Sequence, residues 1–432
     1  MYPASFQSTG SGSLPGWGDI KGVISKLDYF KHLGVDVVWL SPIYKSPQVD
    51  MGYDIADYKD IDPRYGTLED VDELIAGLHK RDMKLMMDLV VNHTSDQHDW
   101  FKRSRSSKDD PKRSWYHWQP AKYDEHGNRQ TPNNWAKILG EAHSAWTWDE
   151  KTQEYYLALF TPEQPDLNWE NPDVRAAVHD VLHFWLKRGA SGFRMDVINH
   201  ISKTPGYPDA PITSPGSKYQ PGYKYYANGP RLHEWLQAMN REVLSKYDTI
   251  TVGEMPFVRS EEEILKVVGA KRGELNMIFI FEMVDIDNDE TGFRLTLRDW
   301  NTNDIKKIFN KWQTLMIDRN GWNSLFIENH GMISETYCCQ HEVLTRIRQT
   351  TLAPCPATAA TKTNTASSAP NSSASCRPPS PAQFTSTKAK SSGSATCHPA
   401  SSPPSTKTSR PSTTGTRQAI SIPVFTLESP PV

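Results

Sequence analysis

The chain has 432 residues and a formal net charge of −3 at pH 7, and a chain of this length can hold one large α/β barrel or two to three average domains. No concentrated basic patch occurs in the first 330 residues, which argues against nucleic-acid binding. No apolar run reaches the roughly 18 residues of a membrane-spanning helix, and no signal peptide is recognisable. The sequence therefore predicts a soluble cytoplasmic protein without membrane partners.

The average composition hides two different parts of the chain. All 14 tryptophans precede residue 323, whereas all 5 cysteines follow residue 337. The cysteine-free body fits a reducing compartment. The later residues are dominated by Ser, Thr, Pro and Ala, and such a segment cannot bury enough apolar surface to offset its ordering entropy. We therefore expect 331–432 to be a disordered low-complexity tail.

In chain order, apolar runs that indicate buried strands alternate with segments of helical period. The strands are predicted at 35–43, 83–91, 191–198, 249–255, 277–283 and 322–330. The helices are predicted at 68–82, 173–189, 232–248, 260–270 and 303–321. This alternation indicates a parallel sheet covered by helices on both faces, and the number of repeats favours a (β/α)8 TIM-type barrel over an open sheet.

The stretch 94–170 is too long for a loop between barrel elements and predicts an inserted subdomain after the third strand. The barrel then comprises 1–93 and 171–330. The insertion is rich in aromatic residues, notably WYHW (115–118), AWTW (145–148) and EYY (154–156). Some of these rings could stack on sugar rings, but we expect more of them to pack inside the subdomain.

Catalytic groups of TIM-type barrels lie at the carboxyl ends of the strands. Here those ends carry carboxylates, two histidines and an arginine, namely Asn92, His93, Arg194, Asp196, Glu254, Glu282, Asn329 and His330. They carry no cysteine and no obvious nucleophilic serine. The set indicates acid–base and carboxylate chemistry.

Arg194 and Asp196 are two residues apart on one strand, so their side chains project from the same face. We expect the guanidinium to lower the pKa of Asp196, as suits a nucleophile, and apolar neighbours to raise the pKa of Glu254, as suits a general acid. Such a pair is typical of retaining glycosidases, whose carboxyl groups lie about 5–5.5 Å apart. The alternative is a structural Arg–Asp ion pair and an unrelated glutamate.

Six stretches in order resemble the α-amylase-type glycoside hydrolases, within them the oligo-1,6-glucosidase and maltase group, and the match runs from about residue 2 to 330. They are GWGDIKGVISKLDY, DVVWLSPIYKSPQVDMGYDIADY, KLMMDLVVNHTSDQH, QPDLNW, GFRMDV and TVGEMP. The resemblance implies a catalytic (β/α)8 barrel followed by a β-domain. It implies exo-acting, retaining hydrolysis of short α-glucosides such as isomaltose, maltose or sucrose, without a cofactor.

The resemblance also implies roles for individual residues. Asp196 is the expected nucleophile, Glu254 the acid/base and Arg194 the partner of Asp196. His93 and His330 are expected to bind hydroxyl groups of the sugar in the cleavage subsite. Asp50 and Tyr53 are expected to bind the non-reducing glucose, and Phe160 and Gln164 are expected to be further pocket residues. Val197, directly after the nucleophile, resembles the enzymes that accept α-1,6 bonds, whereas threonine goes with strict maltases.

The chain departs from the family pattern in three places. It begins partway into the expected first strand, and its first loop keeps Asp19 but lacks the repeated acidic residues of a calcium loop, so we expect no metal there. Gly331 follows His330 where the resemblance implies an essential carboxylate, and the eighth strand and β-domain are not recognisable beyond it. A frame or exon change would produce so abrupt a break; a mucin-like stalk or linker is the alternative.

These departures predict a chain that, as written, is poorly folded and essentially inactive despite its glycosidase ancestry. Two other functions stay open. One is a non-catalytic binding protein on the same barrel, although the retained carboxylates argue against it. The other is a transglycosylase or sucrose-acting relative, because the same covalent intermediate can pass to a sugar. The sequence does not specify the oligomeric state.

Overall fold

The computed structural model describes residues 1–139, 143–286, 299–326 and His330. The predicted tail, including Gly331, and the predicted Asn329 lie outside the described residues. The strands are β1 Val37–Trp39, β2 Tyr44–Lys45, β3 Asp57–Ile61, β4 Lys84–Val90, β5 Trp118–Gln119, β6 Lys122–Tyr123, β7 Arg129–Gln130, β8 Trp146–Asp149, β9 Glu154–Leu157, β10 Gly192–Asp196, β11 Ile250–Glu254 and β12 Met277–Phe279. The α-helices are α1 Pro3–Phe6, α2 Ile20–Ile24, α3 Leu27–His32, α4 Leu68–His79, α5 Asp99–Ser104, α6 Pro172–Arg188, α7 Tyr223–Tyr226, α8 Leu232–Glu242, α9 Glu261–Val268 and α10 Thr302–Asp318.

Five parallel strands form a curled central sheet in the order β1, β4, β10, β11, β12. Backbone contacts continue the sheet at both edges. Met1 N donates to Trp39 O at 2.7 Å and Ser41 N donates to Met1 O at 2.8 Å, which is the pattern of a parallel pair. At the other edge Ser324 bridges Phe279 in parallel register. Parallel strands in chain order with intervening helices confirm the predicted barrel topology for the described residues.

The helices that cover the sheet follow the predicted apolar spacing. Helix α4 begins at a capping box, in which Thr67 and Asp70 each bond the other's backbone N–H, and buries one stripe at helical spacing, Val71, Leu74, Ile75 and Leu78. Helix α6 has Asn171 as its N-cap, Pro172 in its first turn and Gly189 at φ 110° as its C-cap. No helix in these ranges is long and apolar enough to cross a membrane.

The predicted insertion contains a small antiparallel sheet in the order β5, β9, β8 and the hairpin β6–β7. Its core is a separate cluster around Trp135 and Trp146, which also takes in Tyr226 from the segment after β10. Trp135 Nε1 donates to the Pro208 carbonyl at 2.9 Å, so that later segment packs on the insertion. Most of the aromatic side chains in question are buried, namely Trp115, Tyr116, Trp146, Tyr155 and Tyr156. Internal packing is therefore the correct alternative for these rings.

Candidate active site

Three neighbouring strands bring four charged side chains together at one end of the sheet. Strand β10 lies between β4 and β11, and Arg194 is the register partner of Asp88. The Arg194 Nη1 atom donates to Asp196 Oδ1 at 2.6 Å and to Asp88 Oδ1 at 3.0 Å, while Nη2 donates to Glu254. One guanidinium therefore joins three carboxylates, and the predicted projection of Arg194 and Asp196 from one face is confirmed.

Burial dominates the electrostatics of these carboxylates. It raises the pKa of Asp196 to about 6, with the nearby Arg194 acting in the opposite direction. It likewise raises the pKa of Glu254 to about 7 and that of Asp88 to about 6. The predicted direction was right for Glu254 and wrong for Asp196: the arginine does favour ionisation, but desolvation of a fully enclosed carboxylate is the larger effect.

A single guanidinium offsets one of three negative charges, so the cluster retains a proton near neutral pH. Glu254 has the highest pKa of the three. On these pKa values Glu254 keeps its proton to a higher pH than Asp196 does. Burial alone would lower the pKa of Arg194, but its carboxylates hold that pKa well above the ordinary value.

The sequence reasoning did not identify Asp88, although it is one of the three carboxylates that contact Arg194. Its Oδ2 atom accepts from Trp39 Nε1 at 3.1 Å and from the Tyr53 hydroxyl at 3.2 Å. The available signal was a single carboxylate inside the apolar run MKLMMDLVV, because a charge within a buried strand requires a partner.

His330 reaches the same cluster from the far edge of the sheet. Its Nδ1 lies 2.6 Å from the Tyr2 hydroxyl and its Nε2 lies 3.4 Å from Arg194 Nη2. The rings of Trp39 and Tyr53 pack edge-on against it. Burial lowers the pKa of His330 to about 3, so the ring is neutral and can donate one hydrogen bond and accept another.

The predicted sugar-binding residues form a second group beside Tyr53. Gln164 Nε2 donates to Asp50 Oδ2 at 2.9 Å and lies 3.2 Å from His93 Nε2. The same His93 atom lies 3.2 Å from the Tyr53 carbonyl oxygen, and Phe160 packs against the imidazole with ring centroids 5.1 Å apart. Because Tyr53 also contacts Asp88, the two groups are continuous. The structure thus brings all of these predicted pocket residues together.

Val197 occupies a strained position directly after Asp196. Its backbone has φ 33° and ψ 44°, in the left-handed region, and its side chain is buried. A β-branched residue is a genuine outlier there, and such strain persists where the surrounding structure over-determines the conformation. The backbone turns from strand to 3-10 helix (Ile198–His200) at this point, so the strain lies directly beside Asp196.

A buried lysine, also missed from the sequence, connects the insertion to the barrel. Lys203 Nζ lies 3.0 Å from Asp166 Oδ2 and donates to Asn92 Oδ1 at 3.0 Å and to the His200 carbonyl at 2.7 Å. In the sequence this lysine stands in a loop-like stretch with no periodic signal, so its partner could not be identified.

Asp19, the acidic residue of the first loop, acts as a helix cap. It accepts from Gly22 N at 2.7 Å at the start of α2 and from Thr9 N at 2.8 Å. These bonds stabilise the first loop by satisfying backbone N–H groups.

Comparison with known proteins places this geometry in a family. The α-amylase catalytic-domain model matches residues 1–356. The chain is 57% identical over 330 residues to an α-glucosidase of Schizosaccharomyces pombe and 54% identical over 330 residues to an oligo-1,6-glucosidase of Parageobacillus thermoglucosidasius. Each alignment covers 76% of this chain and 56% of the relative, so the chain spans about half the length of the curated relatives it matches.

Solved structures agree with this assignment. The trehalose-6-phosphate hydrolase TreA of Bacillus licheniformis is 44% identical with a TM-score of 0.69, over 77% of this chain and 57% of that one. The isomaltulose synthase SmuA of Protaminobacter rubrum is 41% identical with a TM-score of 0.71, over 79% of this chain and 59% of that one. The fold is accordingly of the TIM-barrel type, and the chain belongs to the α-amylase catalytic-domain family of glycoside hydrolases.

Proposed function

We propose that this chain carries the catalytic pocket of an exo-acting, retaining α-glucosidase for terminal α-1,6 or α-1,4 bonds of short oligosaccharides such as isomaltose, maltose or sucrose. The observation that carries the proposal is that Asp196 and Glu254 both accept hydrogen bonds from the guanidinium of Arg194. Two carboxyl groups held by one guanidinium lie close together, which suits the short separation of a retaining pair better than the wider gap that an inverting enzyme needs for its water.

In the first step of the proposed mechanism Glu254 donates its proton to the glycosidic oxygen while Asp196 attacks the anomeric carbon. The carbon–oxygen bond to the leaving sugar breaks, and a glucosyl ester of Asp196 forms. Substrate must bind against both carboxyl groups, because the anomeric carbon has to approach Asp196. In the second step the ionised Glu254 takes a proton from a water molecule, and the oxygen of that water attacks the anomeric carbon. The ester bond to Asp196 breaks, and glucose is released.

The pKa values suit these roles over a narrow range of pH. Activity should rise as Asp196 ionises, with its pKa of about 6, and fall as Glu254 loses its proton, with its pKa of about 7. We therefore expect a bell-shaped dependence of kcat/KM on pH with its maximum between these two values. Arg194 opposes the rise in pKa that burial causes in both groups. Its positive charge would also stabilise the ionised form of Asp196.

The group formed by Asp50, Gln164 and His93 suits the hydroxyl groups of a terminal glucose. A carboxylate accepts from a hydroxyl, whereas an amide and a neutral imidazole can donate to one. Since these residues are cross-linked by hydrogen bonds, they would close the pocket and limit the enzyme to chain ends. Phe160 supplies an apolar wall.

We propose that Gly331 slows the chain as written, since the resemblance implies a carboxylate at that position. An interaction that strengthens at the transition state acts directly on kcat, so its loss lowers the rate without preventing binding. We expect Gly331→Asp to increase turnover of a nitrophenyl α-glucoside. Near-normal hydrolysis by the chain as written would contradict the predicted inactivity.

Covalent trapping tests the proposed roles without requiring turnover. A 5-fluoroglucosyl fluoride carries a leaving group that departs without a proton, so it should glucosylate Asp196, as read by peptide mass spectrometry. Asp196→Asn should abolish the adduct, whereas Glu254→Gln should keep it because no acid is needed. An adduct on another residue, or equal loss in both variants, would overturn the assignment. A non-catalytic binding protein would form no adduct and yet could be stabilised by glucose.

Glucosyl transfer is the second candidate, and the likeness to an isomaltulose synthase favours it. The glucosyl ester would then pass to a sugar hydroxyl and not to water. Product analysis after incubation with sucrose separates the two: glucose with fructose indicates hydrolysis, and an isomeric disaccharide indicates transfer.

A further inference from the structure

Two buried side chains hold the amide of Asn92 in one orientation. Lys203 Nζ donates to Asn92 Oδ1 at 3.0 Å, and Asn92 Nδ2 donates to Asp166 Oδ2 at 3.3 Å. An ammonium group can only donate and an ionised carboxylate can only accept, so the oxygen of the amide must face Lys203 and its nitrogen must face Asp166. All three side chains are at least 95% buried. Rotating the amide group by 180° would break both of these hydrogen bonds.

The amide nitrogen of Asn92 also lies 3.2 Å from His93 Nδ1. Because this nitrogen carries only hydrogens, the favourable partner is an Nδ1 atom with a free lone pair. Burial lowers the pKa of His93, so the ring is neutral near pH 7 and carries its one proton on the other nitrogen. That atom, Nε2, lies 3.2 Å from the Tyr53 carbonyl oxygen, which is an acceptor.

The alternative tautomer fits the same contacts less well. With the proton on Nδ1, two donors would face each other at Asn92, and two lone pairs would face each other at the Tyr53 carbonyl. Gln164 would gain, since its Nε2 also lies 3.2 Å from His93 Nε2. With the proton on Nε2, the single N–H of His93 donates to the Tyr53 carbonyl, while Gln164 Nε2 keeps its hydrogen bond to Asp50.

We infer that Asn92, oriented by Lys203 and Asp166, is a positioning residue that fixes His93 as the Nε2–H tautomer, with its N–H on the side of the ring that faces Tyr53 and Gln164. The role in binding rests on the proposed function, in which a sugar hydroxyl shares this N–H with the Tyr53 carbonyl or replaces that carbonyl as the acceptor. The tautomer itself is a property of the free protein.

Nitrogen NMR of the full chain labelled with 15N-histidine measures the tautomer directly. The His93 resonances are identified by their loss in His93→Gln. At pH 7 we expect the parent to show an unprotonated Nδ1 and a protonated Nε2. Asn92→Asp keeps the shape of the side chain but places an acceptor against Nδ1, so we expect Nδ1 to become protonated. Asn133→Asp makes the same chemical change in the buried core of the insertion and should leave the His93 signals unchanged.

A protonated Nδ1 in the parent, or an unprotonated Nδ1 in Asn92→Asp, would overturn the inference. An equal change in Asn133→Asp would also overturn it, because the effect would then follow from a buried charge in general. If Asn92→Asp does not fold, the parent spectrum alone decides. The NMR result does not depend on activity, so it tests the tautomer separately from the proposed function. The expected tautomer could be observed even if no glucosyl adduct forms, in which case only the proposed function would be rejected.

Discussion

Asp88→Asn tests whether Asp88 sets the pH at which Asp196, the proposed nucleophile, ionises. Asp88 raises the pKa of Asp196 by charge repulsion, in addition to the larger effect of burial. Removing that charge should therefore lower the pKa of Asp196. Asparagine keeps the size of the side chain and an acceptor for Trp39 or Tyr53. The ionised, reactive form of Asp196 should then persist to lower pH.

The size of the effect follows from the geometry. Asp88 Oδ1 and Asp196 Oδ1 contact the same Arg194 Nη1 at 3.0 and 2.6 Å, so they are no farther apart than these distances laid end to end, about 5.6 Å. At an effective dielectric constant of about 20, two unit charges at that separation repel by roughly 3 kcal/mol, or about two pH units. Because the pKa of Asp88 is itself about 6, it carries only part of its charge in the relevant range. We expect a shift of about one pH unit.

The assay is the rate of adduct formation with the 5-fluoroglucosyl fluoride between pH 4 and 8. Fluoride leaves without acid assistance, so the rate reports ionisation of Asp196 alone. For the parent the rate should rise with pH through about 6, and for Asp88→Asn through about 5. Asp72→Asn, which removes the partner of Arg188 on the surface of α4, should leave the profile unchanged. An unchanged or upward-shifted profile for Asp88→Asn would refute the reasoning.

Two further substitutions address stability and specificity. Lys203→Met leaves Asp166 buried without its cation and should lower the free energy of unfolding, measured by urea denaturation, by about 3–5 kcal/mol. The control Lys59→Met removes an exposed ion pair with Asp180 and should lower it by at most about 1 kcal/mol. Equal losses in the two variants would contradict the expected difference between buried and exposed pairs. Val197→Thr keeps a β-branched residue in the strained backbone conformation. It should lower the ratio of kcat/KM for isomaltose to kcat/KM for maltose by roughly tenfold. An unchanged ratio would show that Val197 does not determine the preference between α-1,6 and α-1,4 bonds.

Much of the fold was predictable because its signals are local. The helix predicted at 173–189 is observed as Pro172–Arg188, since an asparagine cap, a proline and a terminal glycine mark its ends. The strand predicted at 83–91 is observed as Lys84–Val90. The helix predicted at 232–248 ends earlier, at Glu242, where the backbone of Val243 departs from helical angles and a 3-10 turn follows. Apolar periodicity continues through such a break and cannot locate it.

The site was predictable where two residues share a strand and not where strand register decides. Arg194 and Asp196 are two apart, so their shared face follows from the sequence alone. Asp88 meets Arg194 only because β4 and β10 pair in one particular register, which is a tertiary fact. The direction of the pKa shift of Asp196 was predicted wrongly for a related reason: the arginine is visible in the sequence, but the depth of burial is not.

The balance between burial and the arginine determines how this cluster can work. Without burial, Asp196 and Glu254 would both ionise well below neutral pH, and no acid would be present. Without Arg194, burial and mutual repulsion would keep both carboxyl groups protonated near neutral pH, and no nucleophile would be present. Each single effect gives two carboxyl groups in the same state. Together they hold Glu254 above Asp196 in pKa, which is the asymmetry that a double displacement requires.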